Sequence, residues 1–230
     1  MNRNYSNISY AESPFGTLSE FMSKSFGWMF AGLLVTFGVG MGAVASGLIF
    51  PIINSGLFIF TSIAELVMVF VLSARVQKLQ PSTATALFFG YAVLNGINLS
   101  SIFLVYDYGT LILAFLVGAV YFGVMAVYGN VTDRDLTGWG PKLMMGLFAL
   151  IITGFVGMLF GMSFLTTVLY SAVGLVVFML LTAYDTQKLS QMFSYYAYDG
   201  ELAEKASIYG ALTLYLDFIN IFLYLSLIHI

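Results

Sequence analysis

The chain has 230 residues, 60% of them hydrophobic and only 8% charged, with a mean hydropathy of +0.94. Soluble domains carry about 25% charged residues, so a soluble globule is excluded and the chain reads as an integral membrane protein of one helical domain. The net charge of −3 argues against a nucleic-acid partner, and the lack of cysteine excludes disulfides, thiol catalysis and zinc–thiolate centres.

Residues 1–25 are polar and mixed in charge and read as a cytoplasmic tail. They lack the short basic start and brief apolar core of a cleaved signal peptide. Residues 26–230 form the membrane domain. Seven apolar runs follow, over 26–49, 56–74, 83–106, 110–129, 143–162, 166–188 and 206–228. About 20 apolar residues suffice for a helix to cross a bilayer. Pro51, Pro81 and Pro141 sit between runs, where a missing N–H does no harm. The longest connectors are 130–142 and 189–205. Gly38–Gly42 and Gly157–Gly161 are GxxxG pairs, which serve helix packing or are simply frequent membrane glycines. No internal repeat is evident, so an inverted-repeat transporter is not indicated.

All eight basic residues fall on one side of this arrangement: Arg3 and Lys24, Arg75 and Lys78, Arg134 and Lys142, Lys188 and Lys205. The positive-inside rule then puts the N-terminus in the cytoplasm and, after seven crossings, the C-terminus outside.

The last run, ASIYGALTLYLDFINIFLYLSLI, carries one ionisable side chain, Asp217, near its middle. A charge at the bilayer centre costs about 3 kcal/mol or more, so this helix should be surrounded by others. Thr213, Asp217, Asn220 and Tyr224 share one helical face. Two further acids lie in runs, Glu65 in the second and Asp185 near the cytoplasmic end of the sixth. Asp217 is about 16 Å from the start of its run, and Glu65 about 15 Å deeper than Arg75, at 1.5 Å per residue. Asn95 and Asn98, three apart, share a face that could line the same interior.

Two carboxylates close together in a dry interior do not both ionise readily and titrate as a pair. Holding one proton, they bind two helices together; doubly ionised, they repel and can admit a cation. Arg75 could neutralise a released carboxylate. Asp185 could instead cap or pair with a nearby Lys, and Glu65 could serve an interhelical hydrogen bond as well as a pathway. Calcium prefers six to eight oxygens. Asp185 and Asp217, helped by Glu65, the two amides and water, could offer it only a weak, transient site, which favours passage over storage.

Enzymatic chemistry finds no support. The single histidine, His229, is penultimate and reads as an interfacial residue, and no His/Glu cluster exists. An intramembrane aspartyl protease needs Gly-x-Gly-Asp on its second catalytic helix and a later Pro-Ala-Leu. Here Asp217 follows Leu-Tyr-Leu, and there is no Pro-Ala-Leu. Nothing calls for a cofactor.

The segments TAYDTQ (182–187), LYLDFINIF (214–222), SIAELVMVFVLSARVQK (62–78) and LFFGYAVLNGINLSSIF (87–103), with the 203–215 approach to the last helix, resemble the Bax inhibitor-1 (transmembrane Bax inhibitor motif) family, and a bacterial member of it. The likeness runs over nearly the whole chain from Phe26. It implies an all-α fold of seven transmembrane helices, the last one central and wrapped by the first six. It also implies a pH-sensitive calcium leak governed by an aspartate pair, here Asp185 and Asp217, with Arg75 at the position of the basic gate residue and Glu65 matching the acid of the second span. The expected partners are calcium ions and the lipid bilayer of the cytoplasmic membrane. The alternative is a non-conducting regulator that binds a membrane protease or another membrane protein.

Overall fold

A computed structural model describes residues 16–75 and 78–228. Arg3 with most of the tail, and His229, lie outside the described residues. The elements in order are α1 (Leu18–Ala45), α2 (Ile49–Asn54), α3 (Leu57–Arg75), α4 (Pro81–Leu99), α5 (Ile102–Val105), α6 (Tyr108–Val131), a 3-10 turn (Thr137–Trp139), α7 (Gly140–Phe160), α8 (Phe164–Tyr196) and α9 (Gly200–Ile228). There is no strand among the described residues.

Local chemistry explains the boundaries. α1 starts eight residues before Phe26 because Thr17 and Glu20 form a capping box: Glu20 N donates to Thr17 Oγ1 at 3.2 Å and Thr17 N to Glu20 Oε2 at 2.7 Å. α4 opens on Pro81, preceded by the extended Gln80, the pairing that a proline at the first helical position favours. The third run breaks at Ser100 and Ser101, whose hydroxyls donate to Ile97 O and Asn98 O, leaving α5 as a separate turn. The connector expected over 189–205 is almost entirely helical instead. α8 continues to Tyr196 and α9 begins at Gly200. The physical reason is spacing: Leu189, Phe193 and Ala197 recur four apart and are all buried.

Six helices are long and apolar enough to cross a membrane: α1, α4 with α5, α6, α7 with its preceding turn, α8 and α9. The second expected crossing is the shorter case. Its apolar stretch is Leu57–Leu72, within an α3 of 19 residues that reaches about 28 Å, close to the ~30 Å hydrocarbon core. Large apolar side chains stay exposed on α3 (Phe60, Phe70), α6 (Val124, Val127) and α7 (Ile152, Phe155). Such faces belong against lipid, where apolar exposure carries no penalty. α9 is the opposite case. Its most apolar window is 67% buried, against 17–39% for the other spans.

Contacts divide the chain into two compact units. The N-terminal unit takes the chain up to Tyr108 together with 191–215. In it α1 packs chiefly on α4, and glycine allows the close approach: a Cβ on Gly96 would lie 2.6 Å from Thr36 O. Thr36 Oγ1 donates to Ala92 O at 2.9 Å across the same seam. Phe88, Tyr91 and Tyr215 stack edge to face at 5.7–5.8 Å, and Lys24 pairs with Glu204 at 3.2 Å.

The C-terminal unit takes 109–190 with 216–230. Here Phe218 of α9 stands between Phe115 and Phe122 of α6, with ring centroids 5.2 and 5.7 Å away. Gly118 lies against Ile221 and Leu225, at a spacing where a Cβ would make ordinary contact. Of the GxxxG glycines, Gly157 sits against the Met162 side chain, which a Cβ there would strike, and the other three meet no neighbour. A Cβ on Gly38 or Gly42 would meet nothing within 4 Å, and Gly161 ends α7 at φ +78°.

Gly96→Ala should therefore cost about 1–3 kcal/mol, the usual range for overpacking a filled contact. Gly38→Ala should be neutral or slightly stabilising. Thermal unfolding of the detergent-solubilised protein, read by loss of monodispersity, checks the difference.

Candidate functional site

Asp185 and Asp217 both lie in the C-terminal unit, on α8 and α9. The residues around Asp185 in TAYDTQ fix its turn of helix from three directions. Ala183 backs onto Gly129 of α6, where any Cβ would strike the Ala183 carbonyl. Tyr184 packs over Gly140 at the start of α7, its hydroxyl 2.6 Å from where a Cβ would sit. Gln187 grips the 132–136 connector: Leu136 N donates to Gln187 Oε1 at 2.8 Å, and Gln187 Nε2 donates to Arg134 O at 2.9 Å. A side-chain amide that satisfies both a backbone donor and a backbone acceptor holds its element in one position.

Asp217 is buried, 3% exposed. Its Oδ2 has no hydrogen-bond partner among the described residues. Asp185, partly buried, lies close enough for the two carboxyl groups to interact electrostatically. Lys188, one turn on, acts on Asp185 from its own helix and lies 5.8 Å from the Tyr184 ring. Among the described residues no three His, Cys, Asp or Glu side chains gather as a metal-binding group. Two carboxylates with an unfilled oxygen suit a proton or a passing cation better than a resident metal.

The rest of the polar stripe on α9 is quieter. Thr213 Oγ1 donates to Tyr209 O at 3.0 Å and Asn220 Nδ2 to Leu216 O at 2.8 Å, both within the helix. Each remains half-buried, with acceptor capacity left over.

Glu65, Asn95 and Asn98 come together in the N-terminal unit. Asn95 Nδ2 and Asn98 Nδ2 donate to the two oxygens of Glu65, one each. Thr61 Oγ1 donates to Asn98 Oδ1 at 2.7 Å, and the Tyr91 hydroxyl also donates to Glu65. Of the two roles open to Glu65, the structure displays the interhelical hydrogen bond, joining α3 to α4. Tyr91 and Thr61 escaped the sequence reading. Tyr91 was findable, since 91, 95 and 98 lie four and three apart on one face of α4. Arg75 closes α3 exposed to solvent and makes no ion pair among the described residues.

Comparison with known proteins shows the family to which the chain belongs. Residues 18–229 match the family model described as inhibitor of apoptosis-promoting Bax1. The chain is 42% identical over 216 residues to the inner membrane protein YbhL of Escherichia coli (strain K12), covering 92% of each chain. It is 39% identical over 214 residues to a protein of Borreliella burgdorferi, covering 90% of each. To YrjE of Lactococcus lactis it is 36% identical over 212 residues, covering 90% of this chain and 89% of the other.

Removing Glu65 strands two amides in a low-dielectric seam. Glu65→Ala should cost about 1–3 kcal/mol, the price of unsatisfied buried donors. With Asn98→Ala it should form a non-additive pair, with a coupling above about 0.5 kcal/mol. A double-mutant cycle on thermal or denaturant unfolding in detergent measures this; strict additivity would count against the clamp.

Proposed function

Since the chain belongs to the Bax inhibitor-1 family, we propose that this multi-pass membrane protein is a pH-sensitive calcium leak, gated by Asp185 and Asp217 sharing a proton. The observation that carries the reading is the buried Asp217 carboxyl, which has one oxygen unpartnered and lies within electrostatic reach of Asp185. A shared proton at that oxygen joins α8 to α9. Without it, two carboxylates in low dielectric repel, and the oxygens become ligands for a cation in transit. Oxygen donors this few bind calcium weakly, which suits fast release.

The rigid mounting of Asp185 by Gly129, Gly140 and Gln187 supports a latch whose change of state is expressed as helix separation rather than local slack. For Arg75 a charge-partner role is implied by the resemblance alone. Asn220 and Thr213 line the path beside Asp217 on the half-buried face of α9. Glu65 with Asn95 and Asn98 ties α3 to α4 and completes the set of buried polar groups. The one-sided distribution of Lys and Arg supports a cytoplasmic N-terminus and an outer C-terminus, with α3 counted as a crossing. The name of the Escherichia coli relative supports the cytoplasmic (inner) membrane. No group arranged for catalysis enters this account.

Calcium flux into liposomes across a pH series tests it. Wild-type protein should pass calcium with a pH dependence no steeper than about tenfold per pH unit, the limit for one shared proton. Asp185→Asn and Asp217→Asn should each flatten that dependence, because an amide cannot titrate. Unchanged flux and an unchanged profile in Asp217→Asn would sink the latch. A stoichiometric co-purifying partner with no flux at any pH would favour the non-conducting regulator.

A further inference from the structure

The C-terminal unit has a second set of polar groups, at the opposite end from Arg134, Lys142 and Lys188. Phe178 stands seven residues before Asp185 on α8, and Tyr224 seven residues after Asp217 on α9. In antiparallel helices those steps match, at about 10 Å each. The two rings do lie side by side, with centroids 5.8 Å apart. Tyr170, nearer the start of α8, meets Tyr224 edge to face at 5.5 Å. The Tyr224 hydroxyl donates to the Tyr170 hydroxyl at 3.3 Å, and the Tyr170 hydroxyl donates to Leu150 O of α7, also at 3.3 Å.

Two glycines hold these rings in place. A Cβ on Gly174 would run into the Tyr224 ring, and one on Gly154 would lie 2.7 Å from the Tyr170 hydroxyl. Between the carboxyl pair and the rings, Asn220 is the polar side chain of α9, flanked by Phe218, Ile219, Ile221 and Phe222. A half-buried amide one turn from the buried Asp217 and one turn from Tyr224 needs a reason to be there. Water reaching it from the ring side would supply one.

We propose that Phe178, Tyr170 and Tyr224 form an aromatic plug that closes an aqueous approach to Asn220 and Asp217 from the end of the unit where α8 begins. Apolar ring faces dry a narrow passage, and a dry constriction stops ions without needing a tight fit. The hydroxyls are bonded to one another and to a single carbonyl, so one rotation of Tyr224 breaks the closing bond. It also turns a phenol oxygen into the opening, and the ring faces attract a cation there. The plug itself stands on these contacts alone; its role in conduction rests on the calcium-leak reading.

The absence of native cysteine makes the test direct. Asn220→Cys is placed in the full chain in liposomes, and a membrane-impermeant methanethiosulfonate reagent is applied. Labelling should be slow with the plug intact. It should accelerate about tenfold or more when a dewetted barrier is removed by adding Tyr224→Ala, and likewise by adding Gly174→Ala, which keeps every ring but evicts Tyr224 from its seat. Equal labelling rates with and without these changes would overturn the plug. If Tyr224→Ala does not yield monodisperse protein, Gly174→Ala decides. In calcium flux, both plug variants should raise the baseline while keeping the pH profile that Asp217→Asn flattens. Wild-type protein that passes no calcium at any pH would end the leak reading, while the labelling rates would still decide the plug.

Discussion

A carboxyl group in the middle of an apolar helix constrains everything around it. Asp217 cannot face lipid without a cost of about 3 kcal/mol or more, so α9 must be enclosed, and it is the most buried span of the chain. Enclosure needs neighbours that come close. A small residue provides this in the C-terminal unit: Gly174 of α8 admits the Tyr224 ring of α9. The aromatic clasp of Phe115 and Phe122 then holds Phe218 of α9 against α6, beside the residue that interacts with Asp185 of α8.

The two polar clusters differ in what they leave unfinished. Around Glu65 both carboxyl oxygens are taken by amides from the facing helix, and the arrangement acts as a tie between α3 and α4. At Asp217 one oxygen is left without a partner and a second carboxyl stands nearby. A carboxyl group with both oxygens partnered makes a structural joint; a like-charged pair with an unpartnered oxygen makes something able to respond to a proton or a cation. Glu65 is half-buried and Asp217 buried, and the number of donors facing each acid marks the difference between them.

The stretches of α8 and α9 around Tyr170 and Tyr224 add a third arrangement, in which phenols rather than acids are packed inside. Tyrosine presents an apolar ring for packing and a hydroxyl that must find a partner. Tyr170 and Tyr224 find each other and one backbone carbonyl. That leaves the level of Phe178 apolar in surface yet able to expose oxygen after a small movement, which sets it apart from a stack of leucines.

Much of this was legible before any fold was known. Composition alone demanded lipid. The run lengths marked the long apolar helices, and the spacing of Thr213, Asp217, Asn220 and Tyr224 placed them on one face of α9, because helical periodicity is a local property. The asparagines at 95 and 98 declared a shared face for the same reason. Only tertiary structure could decide that Glu65 is the acid they bind, that Gln187 holds the 132–136 connector, and that Tyr170 meets Tyr224 from 54 residues away. The extension of α8 and α9 through 189–205 was also hidden, since its charged and polar residues read as a loop until Leu189, Phe193 and Ala197 are seen buried on one side. Periodicity tells which way a residue points along its own helix; which helix it then meets depends on packing between distant segments, and no local pattern carries that.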